Sequence, residues 1–309
     1  MNVITMGAHI LDVLARPVDA IPDGQDTALV EEIRMSAAGT AAGTALTFAK
    51  LGATVRTAGA IGDDATGDLL LSLLGRAGID TTLVVRKSGV PTSASVLPIR
   101  RNGERPSLHL LGANPMYTLD DVDWNGVAAT DHLHFGAPEL IGADNAARIL
   151  SHAKANGATT SIDLIAPGTM GSPEAIAPVL PHTDFVLPNA EQVIGFTGAT
   201  NLADGCRALL DGGAGMVVAT LGSDGALLFD ESGGQQVPAY DVEVVDTTGC
   251  GDAFSAGFVY GVKLGRAPLE AVQLGTAVAA LVAGGLGSDH GDFDLDAADA
   301  FVERCQKAD

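Results

Sequence analysis

The sequence predicts an α/β fold: a doubly wound, mostly parallel sheet with helices on both faces, plus a small β-sheet lid projecting from it. Three observations carry this. Beyond residue 130, short apolar or β-branched runs alternate with helix-length segments whose apolar residues recur every three or four positions. In the first third, Pro-, Thr- and Val-rich pieces without helical period interrupt that alternation. The 39 glycines supply tight turns or close backbone approaches, and 309 residues at 47% apolar content suffice for one large core. The whole chain, 1–309, therefore reads as a single domain with a discontinuous lid at approximately 13–34 and 83–111.

Taken in order, the N-terminus has no cationic start and meets Asp12 early, so it reads as a first strand and not as a secretory leader. The piece 13–34 lacks helical period, and helices follow at 40–51 and 67–77. The second lid piece, 83–111, carries Arg100, Arg101 and Arg105 around an Asn102-Gly103 turn. Strands are predicted at 132–135, 159–164, 185–187, 216–220 and 226–229. Between them, helices at 145–154 and 202–210 stop at Gly157 and Gly212. A further apolar strand starts at Val244, and a helix beginning near Ala253 runs to Lys263 with Gly265 as its stop. The apolar stretch 271–288 contains Gln273 and several small residues, which makes it a buried helix and no membrane span. No fixed-period repeat is present.

The charge balance narrows the partners. With 38 Asp+Glu against 17 Lys+Arg, a net charge of −21 leaves no basic surface to release counterions from a polyanion. Nucleic acid and anionic membranes are thereby disfavoured. The three cysteines are far apart and form no CxxC pair, which argues against a disulfide framework and a thiolate zinc site and fits a reducing cytoplasm.

The chemistry-bearing stretch is VVDTTGCGDAFSAGFVYGV at 244–262. Small residues at Gly249, Cys250 and Gly251 let successive backbone N–H groups converge at a helix N-terminus, which makes a site for phosphate or developing negative charge. Asp252 stays ionised at neutral pH and can receive a hydroxyl proton, as phosphoryl transfer requires; the plainer alternative is that it caps its helix. DTTGCGDAFSAGF closely resembles the C-terminal signature of the ribokinase-like (PfkB) carbohydrate kinases. AGTAAGTA at 38–45, GAIGDD at 59–64, Gly112-Ala113-Asn114, Pro188-Asn189 and TLGSDGA at 220–226 extend the resemblance over essentially the whole chain.

The resemblance implies an ATP-dependent sugar kinase in which Asp252 is the base and Gly249, Cys250 and Gly251 form the anion hole. It makes Asp12, at the end of the first strand, a ligand for sugar hydroxyls; Gly39 and Gly43 give close approach to the acceptor, with Asn114 and Asp163 beside it. Asn189, Thr220, Gly222 and Gly225 would surround the nucleotide. Asp246 and the Thr248 carbonyl would hold a monovalent cation such as K⁺, and Gln192 would reach Mg²⁺ through water. A homodimer through the lid is also implied.

Two departures bear on specificity. Gly43 stands where the family usually has an Asn that reaches a substrate hydroxyl, which points away from plain ribose. Gln192 stands where the family has a Glu that organises Mg²⁺ waters, so weaker Mg²⁺ dependence is expected. At Asp163, only the Asp of the family's Asp-x-Asn-x-Arg run matches within 161–167. Cys250 at a helix N-terminus would be alkylatable unless buried. His132 and His134 share one side of a strand and read as core or substrate-wall residues, since no further metal ligands cluster with them. No Gly-Lys dipeptide is present, so this is no P-loop protein. The lid arginines read either as a solvated hairpin or as containing one residue that closes over an acidic or phosphorylated substrate. The competing functional readings are a nucleoside kinase, which a lid poor in aromatic residues disfavours, and a non-catalytic sugar or nucleotide sensor.

Overall fold

Adjacent residues on the central strands point into opposite cores, which is what a sheet covered on both faces demands. The computed structural model describes residues 1–165 and 171–306. Its strands are β1 (Asn2–Gly7), β2 (Ile10–Arg16), β3 (Glu32–Ala38), β4 (Thr54–Gly62), β5 (Asp80–Lys87), β6 (Ala94–Pro98), β7 (Leu108–Leu110), β8 (His132–Gly136), β9 (Thr159–Asp163), β10 (Phe185–Val186), β11 (Met216–Thr220), β12 (Ala226–Asp230) and β13 (Gly233–Val237). The helices are α1 (Ala42–Lys50), α2 (Ala65–Arg76), α3 (Trp124–Ala128), α4 (Ala143–Ala155), α5 (Pro173–Ile176), α6 (Ala190–Thr197), α7 (Leu202–Asp211), α8 (Cys250–Lys263), α9 (Pro268–Ala283) and α10 (Leu295–Gln306).

Nine strands form one sheet in the order β13-β12-β11-β10-β9-β8-β1-β4-β5, and the pairs from β11 through β5 are parallel. β12 and β13 close one edge antiparallel. Ile4 and Val217 enter a core with Phe135, Ile149 and Phe196, whereas their neighbours Val3 and Val218 enter a second core with Phe48, Phe254 and Phe258. Within that second layer α8 and α9 approach closely enough that a Cβ at Gly257 would lie 2.9 Å from Gly275 Cα, and one at Gly261 would lie 3.0 Å from Ala271 Cα.

The lid is a separate four-stranded sheet in the order β3-β2-β6-β7. Its boundaries correct the sequence expectation in three places. Residues 83–87 lie in β5 at the edge of the main sheet, because their pairing is with β4. Asp12 lies inside β2 on the lid, not at the end of the first strand, since β1 stops at Gly7. The segment from Val244 forms no strand, and α8 starts at Cys250, three residues before Ala253, because the turn at Gly249 (φ 78°) already delivers the chain into the helix. α7 ends at Asp211 with Gly212 as its C-cap, as expected, and Gly213 in the left-handed region (φ 105°) follows.

Lid register decides which side chains face the cleft. Asp12 pairs with Ser36 on one side and Ser95 on the other, and Ser95 pairs with His109. One step along, Val13 pairs with Met35 and Val96, and Val96 with Leu108. Asp12, Ser36 and Ser95 are buried, whereas Met35, Val96 and Leu108 are about half exposed or more, so around Asp12 the lid is polar on its inner face and apolar on its outer one, and the next inner pair, Leu14 and Leu97, joins an apolar cluster with Ile99 and Leu286.

Candidate active site

The C-terminal ends of β1, β8, β9 and β11 and the N-terminus of α8 meet under the lid. Gly249 adopts φ 78° and lies against Ser288, where a Cβ would stand 2.5 Å from the Ser288 side chain. Only a glycine turns the chain into α8 here. The N–H groups of Cys250 and Gly251 then sit in the first turn, at the positive end of the helix dipole, and Gly251 faces open space.

Asp252 follows in that first turn with its carboxylate against the backbone of α1. A Cβ at Gly43 would overlap Asp252 Oδ2 and stand 2.8 Å from its Cγ. Gly43 therefore makes room for the carboxylate, and the space expected for the acceptor at this position belongs to Asp252. Burial pushes Asp252 up to about 7, the charge of Asp12 pushes in the same direction, and Arg105 opposes them. This corrects the expectation of a fully ionised group at neutral pH. Asp12 is raised to about 6, first by burial, with a hydrogen bond from Ser95 and the charge of Arg105 lowering it. Asp163, at the end of β9, is raised well above the usual carboxylate range by burial and by the charges of Asp252 and Glu139. Its Oδ1 accepts from the Leu164 N–H at 2.7 Å. The last two residues of the 161–167 run lie outside the described residues.

Gly39 (φ 94°) carries the chain from β3 into α1, with the Ala8 carbonyl 2.6 Å from where a Cβ would be. Asn114 departs from its expected role. Its Oδ1 accepts from the His9 N–H at 2.9 Å and its Nδ2 donates to the His9 carbonyl at 3.2 Å, so the buried amide straps the link between β1 and β2 instead of facing a ligand. Gln192 is a second correction. Its Oε1 accepts from the Asn189 N–H at 2.7 Å, its Nε2 donates to the Leu164 carbonyl at 2.5 Å, and Asn189 Oδ1 accepts from the Gln192 N–H at 2.8 Å. This reciprocal cap of α6 engages both ends of the amide within the protein, and a neutral amide brings no charge to metal-bound water.

A cavity of about 470 Å³ is lined by Thr220, Gly222, Gly225, Thr247, Cys250 and Gly251, with an apolar wall that includes Val242 and Ala280. Gly225 (φ 93°) is required because a Cβ would overlap the Val237 carbonyl. Asn189 pairs through its backbone with Thr220, one of the residues that line this cavity. Cys250 lines it too, but burial pushes its thiol up to about 12, which removes the reactivity that a helix N-terminus would otherwise promote.

Asp246 is fully buried; its Oδ1 accepts from the Thr248 N–H at 3.0 Å and Oγ1 at 2.7 Å, and its Oδ2 accepts from the Gly287 N–H at 3.0 Å. Ser288 Oγ, beside Gly249, is buried without a hydrogen-bond partner. The same loop is held by Lys50, whose Nζ donates to the carbonyls of Asp289, His290 and Gly291 at 2.8, 2.6 and 2.6 Å. Asp289 in turn accepts from Ser36 Oγ at 2.8 Å and pairs with Arg34 at 3.0 Å on the lid.

Sequence reasoning missed Ser36, Ser95, His109 and Ser288, which become neighbours of the site only through lid register and the loop after α9. His132 and His134 are wholly buried; His132 bonds Thr159 and Ser161, and His134 bonds Ser161. No group of three or more metal-ligating side chains occurs among the described residues. None of the described helices is long and apolar enough to cross a membrane.

The family described as pfkB family carbohydrate kinase matches residues 2–292. An ATP-dependent ribose-1-phosphate kinase of Halopiger xanaduensis is 30% identical over 285 residues, covering 92% of each chain. A deoxyribokinase of Salmonella typhimurium is 26% identical over 268 residues, covering 84% of this chain and 85% of that one. Among solved structures, a putative ribokinase II from E. coli in complex with ATP and Mg²⁺ superposes with a TM-score of 0.84 at 22% identity, covering 98% of this chain and 99% of that one. A ribokinase from Thermotoga maritima superposes with a TM-score of 0.80 at 24% identity, covering 97% and 99%. These likenesses agree with the architecture of a large, mostly parallel sheet and a separate smaller one.

Proposed function

The chain belongs to the PfkB family of carbohydrate kinases, and on that premise we propose how its residues transfer the γ-phosphoryl group of ATP to a primary hydroxyl of a small sugar or sugar derivative. The observation that carries the reading is Asp252 in the first turn of α8, its carboxylate seated against Gly43 and raised by the charge of Asp12 on the inner face of the lid. Asp12 accepts hydrogen bonds from sugar hydroxyls, with Ser36, Ser95 and His109 on the same face of the lid. Asp252 accepts the proton of the attacking hydroxyl. The N–H groups at Gly249–Gly251 offset charge on the group in transit. Thr220, Gly222 and Gly225 hold the nucleotide in the 470 Å³ cavity, with Asn189 paired to Thr220 beside it. The lid excludes water so that hydrolysis does not compete.

Mg²⁺ arriving with the nucleotide supplies charge neutralisation of the phosphate oxygens; Gln192 takes no part in this. K⁺ would be held by the buried Asp246 carboxylate and the Thr248 carbonyl, a reading supported by the unpartnered Ser288 hydroxyl that lies against Gly249. The apolar outer lid face, with Met35, Val96 and Leu108 exposed, suits pairing with a second copy, and Val96→Glu is expected to yield a monomer by sedimentation. A cytoplasmic setting agrees with three free cysteines.

The small polar inner lid face favours a sugar over a nucleoside, since it offers hydroxyl ligands and, in His109, a single ring. The decisive experiment is ADP release with Mg·ATP against ketoses, aldoses, sugar acids, sugar phosphates, polyols and nucleosides, with and without K⁺. Asp252→Asn is run in parallel. Turnover on one acceptor class that vanishes in the variant supports the assignment. Binding of sugar or nucleotide without turnover on any acceptor supports the sensor reading instead.

A further inference from the structure

The hairpin between β6 and β7 carries three arginines that the structure uses differently. Arg100 pairs with Glu104, and Arg101 reaches Asp19 at 3.3 Å and Glu31 at 3.7 Å, which are ordinary ion pairs of an exposed loop. Arg105 makes no such pair among the described residues. Its Nε instead donates to Thr247 Oγ1 at 3.1 Å. Thr247 lies two positions before Gly249 and lines the nucleotide cavity. From there the guanidinium acts on Asp12, Cys250 and Asp252 together, lowering all three against the burial that raises them. It thus stands where acceptor, base and donor meet.

The nucleotide cavity has a matching deficiency. Its lining contains no lysine or arginine, and its one charged residue is Asp241. A nucleoside triphosphate brings several negative charges into this groove, close to Asp12, Asp246 and Asp252. The end of α8 contributes the equivalent of only about half an elementary positive charge. The hairpin supplies what the groove lacks, as a planar fork of N–H donors matched to phosphoryl oxygens.

We propose that Arg105 binds the phosphoryl group in transit, the γ-phosphoryl of the donor, and so completes the anion hole from the lid side. The proposal rests on the kinase reading above and assigns a residue that the reading leaves unused. A phosphate on the acceptor has the same oxyanion chemistry; the Thr247 contact, on the wall of the nucleotide cavity, favours the donor. In the transfer, the bond from the acceptor oxygen to the γ-phosphorus forms and the bond from that phosphorus to the β–γ bridging oxygen breaks. ADP leaves with the electron pair and Asp252 takes the hydroxyl proton. Arg105 makes and breaks no covalent bond; its guanidinium offsets the charge of the equatorial oxygens.

The test uses calorimetry and kinetics on the wild type, Arg105→Ala and Arg105→Lys, with ADP and with an ATP analogue whose β–γ bridge is NH. Arg105→Ala is expected to lose about tenfold or more in affinity for the analogue, as expected for a lost charge-assisted contact, with ADP affinity unchanged. Its kcat is expected to fall about 10²–10³-fold, the range for loss of one oxyanion donor. Lysine should restore part of both, and added guanidinium ion part of the kcat of the alanine variant. Equal loss for ADP and the analogue overturns the proposal, because the contact is then not to the γ-phosphoryl. Loss confined to the KM of a phosphorylated acceptor overturns it in favour of the acceptor's phosphate. Unchanged affinities and kcat overturn it in favour of a solvated hairpin. Failure of the kinase reading shows separately, as a wild type that releases no ADP with any acceptor.

Discussion

Gly43→Ala tests the geometry of the base with one carbon atom. The new Cβ would stand 2.8 Å from Asp252 Cγ and overlap Oδ2. Carbon atoms pack at about 3.5–4.0 Å, so the carboxylate must move by on the order of 1 Å. A misplacement of about 1 Å at a reacting group costs about 10²-fold in rate, equivalent to about 2.7 kcal/mol of barrier. Stability should change much less. Overpacking costs about 1–3 kcal/mol, but alanine in the first turn of α1 recovers up to about 0.5–1 kcal/mol over glycine. The assay is kcat at saturating ATP and acceptor, beside a thermal melt. The expected outcome is a kcat about 10²-fold lower, an ATP KM within about twofold because the nucleotide cavity is untouched, and a small drop in Tm. A kcat within threefold of wild type would refute the claim that Gly43 exists to seat the base.

Asp252→Asn should lower kcat by about 10²–10⁴-fold, the span of general-base catalysis, and yet raise Tm at pH 8, since it removes a buried charge that Asp12 and Asp163 repel. In the wild type kcat should fall on acidification with a midpoint set by Asp252 near 7, and Arg105→Ala should move that midpoint upward because the guanidinium holds it down. Stability should show the opposite trend. Asp12, Glu139 and Asp252 are raised to about 6, 7 and 7, so the native state holds protons that the unfolded chain releases near pH 4. Their contribution is fully present below about pH 4 and is lost as pH rises through 6 and 7; melts at constant ionic strength that rise from pH 5 to 8 would contradict this. Gln192→Glu should leave the Mg²⁺ titration of activity unchanged while lowering stability by about 1–3 kcal/mol, because the Leu164 carbonyl loses its donor and meets a carboxylate. With a net charge of −21, Tm should climb on adding KCl as self-repulsion is screened, more than sucrose of equal osmolality achieves.

The strand at 216–220 was legible because MVVAT is an uninterrupted apolar or β-branched run, which a sheet buried on both faces requires, and those at 132–135 and 159–164 because short apolar and β-branched residues there lie between helix-length segments. Asp252 and the turn before it were legible because a glycine, a helix start and a carboxylate in succession already define a local geometry. Asn114 and Gln192 were misread for a common reason. Each amide looks free in sequence, and only the fold brings up the backbone groups of His9 and Leu164 that engage it. Ser36, Ser95 and His109 carry no local signal, since strand register alone lines them up beside Asp12. Leu83–Lys87 reads as lid in composition; what draws it to the main sheet is the exposed edge of β4, a long-range demand.

The contact between α8 and α9 bears on how this protein can diversify. Gly257 leaves no room for a methyl group and Gly261 and Gly275 only the tightest fit, so the helix that carries the base is closely held against α9 along the seam. The lid hairpin is bound by no such seam: Arg101 and Asn102 at its tip are solvent-exposed, and Gly103 beside them is held by its backbone angle (φ 83°), not by packing. Heritable change is therefore channelled. Arg105 apart, substitutions that alter which acceptor is held can accumulate on the lid one at a time, each tested by selection on a phosphoryl-transfer centre that α8 keeps in place, whereas drift in the seam is removed before it can explore a new chemistry.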